Sequence, residues 1–354
     1  MRILNISLDS GVLVTDSSVQ KRLLSLAEHA GEITVLVPGA RTEDKRLGER
    51  LVVHSFGGPK WWQFLMLWEK GKELSANFDL ITVQDVYFLG YIAVRLGEQF
   101  SIPVEVQVHG FEKMGGLRAR MAQYVITHAT KIRVVSNRLR TFLKSEILNL
   151  KSEIYVLPVY TQIEEPGRKP KRNTVPYPFT FLTVGRLVSV KNIELQLNAF
   201  ARLLKTVPHI RLQIVGEGPE KTHLQQTTNN LQLEDKVTFE GEQKEVGKYY
   251  AEADAFLLTS DSEGWGLVTL EAAAYRLPII MTNVGLANEV LHNEKSCTVI
   301  PVGDEEQLYL AMKEFIDTPA LRIKLGEGAY EAFKGLPSSD TQIKKQVEHW
   351  RSFT

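Results

Sequence analysis

Cysteine is nearly missing from this chain of 354 residues: Cys297 stands alone. That excludes an internal disulfide and any cysteine-built metal centre. The residue lies in a short apolar segment and reads as a small buried side chain. Net charge is missing too, because 42 Lys and Arg balance 42 Asp and Glu. No global field therefore points to nucleic acid as a partner. No apolar run reaches the length of a membrane span. The opening Met1-Arg-Ile-Leu is strand-like at once and shows no signal peptide, so a cytoplasmic protein is the expectation. Glycine is scarce after the first strand, where Gly11 is alone. A dinucleotide oxidoreductase would want G-x-G-x-x-G there.

What is present is alternation. Residues 2–8, 33–37, 51–55, 80–83, 102–108 and 131–136 read as apolar strands, with helical segments between several of them. Ser17 or Ser18 can cap the helix that runs to about Glu28. After a strand at 153–158, residues 162–178 carry four prolines and six charged residues with little apolar periodicity, the best candidate linker. Strands resume at 179–184, 211–215, 237–239, 255–258 and 277–281, and residues 341–350 read as a last helix. The length suits two domains, and the alternation predicts α/β units with parallel sheets. In the first half, Trp61, Phe64, Leu65 and Trp68 share one helical face. That face is expected to pack on the sheet; the alternative is a patch that meets a lipid acceptor or the inner face of a membrane.

The most informative stretch is 251–291. Residues 255–258 are a buried strand, 259–266 a polar glycine-bearing loop, and a helix begins near Leu267 before the next strand at Leu277-Pro278. Ligands in such sheets bind beyond the carboxyl ends of the strands. Free amides at the helix start suit phosphate or hydroxyl groups, and Gly264 and Gly266 leave the backbone open to close approach. Glu263 and Glu271, with seven residues between them, offer acceptors to sugar or ribose hydroxyls. Two solvated surface glutamates are the plain alternative.

Ser260, Glu263-Gly264-Trp265-Gly266-Leu267, Glu271-Ala272 and Leu277-Pro278 together resemble the signature of retaining glycosyltransferases of family 4 (glycosyltransferase group 1), which have the GT-B fold. Gly185-Arg186-Leu187, Lys191 and Asn192 are similar to the same family's G-R-L-x-x-x-K-[GN] segment, and Gly216, Gly218 and Gly241 to its next glycine loop and strand. The resemblance implies two Rossmann-like, doubly wound domains facing across a cleft. Residues 1–160 would form the acceptor side, 179–337 the nucleotide-sugar side, and the helix within 338–354 would pack back on the first domain. It implies a nucleotide-diphosphate sugar as co-substrate, no cofactor and no metal, and a glycan or lipid-linked acceptor. Arg186 and Lys191 would neutralise the leaving diphosphate, both being suited to phosphate. Glu263 and the backbone of Gly264, Trp265, Gly266 and Leu267 would orient the sugar. Glu271 would hold the ribose, and Gly185 and Gly241 would approach the donor.

His109, at the end of the 102–108 strand, resembles the amino-domain His that reaches the donor sugar; a structural or solvated histidine is the alternative. Arg118 and Arg120 near the same mouth would meet an anionic acceptor or lie on a solvated helix face. The chain departs from the family's pattern at several points. Gly11 lacks a glycine partner, Val159-Tyr-Thr-Gln162 stands where an Asn-Gly pair is usual, Arg276 replaces a glycine, and Leu286 replaces the second glycine of a pair begun by Gly285. A glycosidase fits poorly, since its two carboxyls must flank a scissile bond and Glu263 and Glu271 bracket one helix start. A nucleotide-sugar-binding protein of the same fold without turnover remains the alternative to a transferase.

Overall fold

The computed structural model describes residues 1–110, 116–147, 150–159, 163 and 178–353, with the side chain of residue 117 left out. The chain forms two compact units, residues 1–162 with 337–354, and residues 163–336. Apart from Ile163 and Pro178, the expected linker lies outside the described residues.

The first unit holds β1 (Arg2–Ile6), β2 (Glu32–Pro38), β3 (Glu43–Arg46), β4 (Leu51–Phe56), β5 (Leu80–Val83), β6 (Val104–Val108), β7 (Lys131–Val134) and β8 (Glu153–Val156). They form one sheet in the order β3-β4-β2-β1-β5-β6-β7-β8. Every pairing is parallel except that of β3 with β4. Central strands are buried on both faces, as parallel sheets require: Ile3, Leu4 and Ile6 of β1 are fully enclosed. The charged β3, Glu-Asp-Lys-Arg, suits an exposed edge. Ser17 caps the helix Ser18–Ala30, accepting from the Gln20 amide. The last helix, Ser339–Arg351, belongs to this unit and packs on that helix. Its Ile343, Val347 and Trp350 share a core with Leu23, Leu26 and Ile33.

One expectation is corrected here. In the helix Lys60–Ser75 the buried residues are Leu67, Gly71 and Ser75. Trp61, Trp62 and Leu65 stay 68%, 41% and 44% exposed. The reason is steric. A Cβ on Gly71 would come within 2.6 Å of Leu96, so the helix lies close against the neighbouring helix Phe88–Phe100 along a small-residue stripe. Of the bulky face, Phe64 stacks on Phe88 of that helix and Trp68 is half-buried, while Trp61 and Leu65 are left to solvent.

The second unit holds β9 (Phe179–Val184), β10 (Ile210–Val215), β11 (Val237–Gly241), β12 (Ala255–Leu258), β13 (Ile279–Thr282) and β14 (Thr298–Ile300), all parallel in the order β11-β10-β9-β12-β13-β14. Successive residues of β9 feed opposite faces. Phe181 joins a core with Phe200, Ile214 and Phe315, and Leu182 one with Phe256, Ala272 and Met281. Cys297 is fully buried within the second of these cores, and burial pushes its thiol up to about 12. The order reverses at β9, so the chain departs in opposite directions from β9 and β12. That leaves a crevice at their carboxyl ends.

Candidate functional site

The loops at this crevice are shaped by backbone contact. Gly216, at φ +140°, lies so near Gly185 that a Cβ would meet the Gly185 carbonyl at 1.9 Å, and one on Gly218 would meet the Leu187 carbonyl at 2.2 Å. Only glycine fits at either position. The Gly185 amide bonds to the Val215 carbonyl at 2.9 Å and the Gly216 amide to the Gly241 carbonyl at 2.8 Å. The ends of β9, β10 and β11 are thus laced together.

A polar lattice, buried at Thr183, Gln196 and Thr259, ties the 185–192 loop to the 259–266 loop. Thr183 Oγ1 donates to Gln196 Oε1 at 2.7 Å, and Gln196 Nε2 donates to Thr259 Oγ1 at 2.8 Å. The Thr259 hydroxyl lies 3.1 and 3.0 Å from the carbonyls of Lys191 and Asn192. The Asp261 amide bonds to Val190, and Asn192 donates to Asp261 Oδ1 at 2.9 Å. Buried networks with every member partnered hold one geometry.

That geometry puts Lys191 against Glu263. The two form an ion pair, and Ser260 Oγ donates to the same Glu263 oxygen at 2.7 Å. Their side chains are 20% and 12% exposed, so the pair is largely removed from water. Arg186 is exposed and its guanidinium has no partner among the described residues. A lysine held by a carboxylate and an exposed guanidinium on the same 185–192 loop offer one fixed and one adjustable cation to an anion.

Gly264 forms the bend after Glu263, and Trp265 is buried, anchoring the loop in the interior. Gly266, at φ +87°, is the residue before the helix Leu267–Ala274. A Cβ there would touch nothing closer than 3.8 Å, so its left-handed backbone and not space demands glycine. Gly285 supports the loop from behind, where a Cβ would meet the Trp265 carbonyl at 2.6 Å. On the helix, Glu271 Oε2 accepts from the Tyr250 hydroxyl at 2.8 Å. Burial raises the Glu271 carboxyl above the usual range, and the Tyr250 bond opposes that rise. Arg276, where the family has glycine, does adopt φ +56°. Its ion pair to Glu327 and its stacking 3.5 Å over the Tyr330 ring offset that strain.

Sequence reasoning missed Tyr250, Thr259 and Gln196. The legible signals were a polar Gln between Leu195 and Leu197 and a Thr-Ser pair closing an apolar strand. His109 stands in the first unit, just after β6, with Nε2 enclosed and unpartnered. Burial first, then the charges of Arg133 and Arg22, push its ring down to about 3, so it is neutral at neutral pH. Among the described residues no three His, Cys, Asp or Glu side chains gather as metal ligands.

Residues 164–332 match the family described as Glycosyl transferases group 1. The second unit therefore belongs to that family. N-acetyl-alpha-D-glucosaminyl L-malate synthase of Bacillus anthracis is 35% identical over 149 residues, 42% of this chain and 39% of that protein. The chain spans about half the length of the curated relatives it matches. Among solved structures, sucrose-phosphate synthase from Thermosynechococcus elongatus superposes with a TM-score of 0.85 at 18% identity over 99% of both chains. Anabaena HepE in complex with UDP superposes at 0.79, with 17% identity over the whole of both chains. The two-unit α/β architecture is thus the GT-B fold.

Proposed function

We propose that the chain is a retaining glycosyltransferase that moves a sugar from a nucleotide-diphosphate sugar to a glycan, lipid or small-molecule acceptor. The observation that carries this reading is the braced pair of loops that sets Lys191 against Glu263, with the exposed Arg186 on one of those loops, at the strand ends of a group 1 domain. In the reaction the bond from the sugar's anomeric carbon to the diphosphate breaks and a bond to the acceptor oxygen forms on the same face. The acceptor proton passes to the departing phosphate. Arg186 and Lys191 neutralise the charge that builds on the diphosphate, and fixed charges of this kind act most strongly where water is excluded. Glu263 and the loop backbone from Gly264 to Leu267 orient the sugar, while Gly185 and Gly241 leave room for the donor. Glu271, steadied by Tyr250, takes the ribose hydroxyls. His109, being neutral, serves as a hydrogen-bonding contact to the sugar and not as a cation. No metal is needed in this scheme, since the two cations supply the charge.

The exposed Trp61, Trp62, Leu65 and Phe88 support a peripheral contact with a membrane or lipid-linked acceptor. No helix among the described residues is long and apolar enough to cross a membrane. Incubation with a panel of UDP- and GDP-sugars tests the proposal, with nucleoside diphosphate release as the readout. Release that rises when acceptor is added supports transfer. Donor binding without any release, across a broad acceptor panel, would make the chain a binding protein.

A further inference from the structure

The first unit contains a cavity of about 40 Å³ between its sheet and the helices 18–30 and 339–351. Asn5, Gln84, Gln107, Gln342, Arg22 and Arg133 line it together with apolar side chains, and among the described residues no Asp or Glu does. Arg133 is fixed by bonds to the carbonyls of Leu157 at 3.0 Å and Pro158 at 3.1 Å and to Gln107 Oε1 at 3.2 Å. All three acceptors are neutral. Arg22 has no hydrogen-bond acceptor among the described residues. Gln342 is 9% exposed, and its Oε1 is enclosed without a partner, as is Nε2 of nearby His109.

The negative charges in reach are committed elsewhere. Glu105 is fully buried and accepts from Gln107 at 2.5 Å, Gln346 at 3.2 Å, Trp350 at 3.1 Å and the Tyr155 hydroxyl. Asp9 is exposed and accepts from the Gly11 amide at 2.9 Å, though its charge still acts on Arg22. Burial and the neighbouring Arg133 hold the Arg22 guanidinium below its usual range. Two cations thus share a confined space in which Asn5 and Gln107 are already hydrogen-bonded and the Gln342 amide keeps an unpartnered oxygen. Arg22 is half-buried, and neither guanidinium meets a lining carboxylate among the described residues.

We propose that this cavity is a subsite for a small oxyanion, a carboxylate or phosphate group, carried by the acceptor substrate. The assignment to the acceptor rests on the transferase reading; the oxyanion site itself does not. Guanidinium forks match the paired oxygens of both groups. A water needs roughly 10–15 Å³ of such volume, so the cavity holds about three water-sized groups, the size of a carboxylate or a phosphoryl head.

The test is calorimetric titration of the full chain at constant ionic strength with inorganic phosphate, succinate, and glycerol 3-phosphate against glycerol. It is run on wild type, Arg22→Gln, Gln342→Glu and Arg186→Ala. Saturable binding is expected in wild type and unchanged in Arg186→Ala. Glycerol 3-phosphate should bind at least tenfold more tightly than glycerol. Arg22→Gln should weaken anion binding tenfold or more. Gln342→Glu should abolish it while raising the thermal midpoint, because the new carboxylate occupies the cavity. The stronger of phosphate and succinate identifies the group. No saturable binding in wild type overturns the proposal, as does binding kept in both cavity variants. Binding lost only in Arg186→Ala does so too, since it belongs to the diphosphate loops. A parallel nucleoside diphosphate titration reports on the donor reading, so either idea can fail while the other stands.

Discussion

The two units build their polar centres in opposite ways. In the second, the candidate residues apart from Gly241 come from two short blocks, 185–192 and 259–271, each shaped by glycines and pinned to the other by hydrogen bonds. In the first, the polar centre is gathered from β6, β7, β8 and the last helix, and the bond from Trp350 to Glu105 spans 245 residues. A centre made of local blocks leaves a pattern in the sequence. A centre made by tertiary packing leaves isolated polar residues in apolar text.

The largest expected effect tests the long-range centre. Glu105→Ala would strand four donors in the interior. Removing one side of a buried charged network typically costs about 3–5 kcal/mol. Denaturant unfolding should show a loss of that size, with the last helix released first by hydrogen exchange. A loss under about 1 kcal/mol would mean that this network does not hold the helix.

Next comes the local centre. Lys191→Ala or Arg186→Ala should lower turnover about a hundredfold, the scale of losing one donor to a developing anion. Steady-state kinetics with near-normal turnover in both variants would remove these cations from the chemistry. Together the two experiments sharpen the contrast, the first variant failing in stability and the second pair in rate.

The legibility of each unit follows from this difference. Helix caps, glycine loops and apolar strands are local, so the parallel strands, the cap at Ser17 and the final helix were readable from the sequence. The edge strand β3 was not, because Glu-Asp-Lys-Arg carries no apolar alternation. The bulky face of the helix Lys60–Ser75 misled, because the size of the pattern outweighed the small-residue stripe that sets the close approach. Glu263 and Lys191 were legible as motif members. Their ion pair was not, because it depends on Thr259 and Gln196 drawing two loops together. Arg22 and Arg133 carried no motif and were found only through the cavity they share.

A smaller effect probes the first unit by pH. His109 is held neutral down to about 3, whereas the ordinary histidine value is 6.5. Between these values the unfolded chain binds more protons than the folded one. Stability therefore falls as pH falls through that window, by up to about 1.4 kcal/mol per pH unit. His349, pushed down to about 4, acts in the same direction. His109→Gln should make the stability profile shallower between pH 6.5 and 4 than that of wild type. Parallel profiles for the two proteins would show that His109 accepts its proton in the folded state.

The most direct test of the account concerns the two carboxylates of the second unit. Calorimetry would measure the affinity for UDP and GDP in wild type, Glu271→Gln and Glu263→Gln. Glu271 is assigned to the ribose, which a nucleoside diphosphate carries, and Glu263 to the sugar, which it lacks. Exchanging a charged acceptor for a neutral one forfeits about 1 kcal/mol or somewhat more, so Glu271→Gln should weaken binding roughly tenfold. Glu263→Gln should leave nucleoside diphosphate binding intact and impair transfer. Loss of that affinity in Glu263→Gln with retention in Glu271→Gln would contradict the account and reverse the two roles.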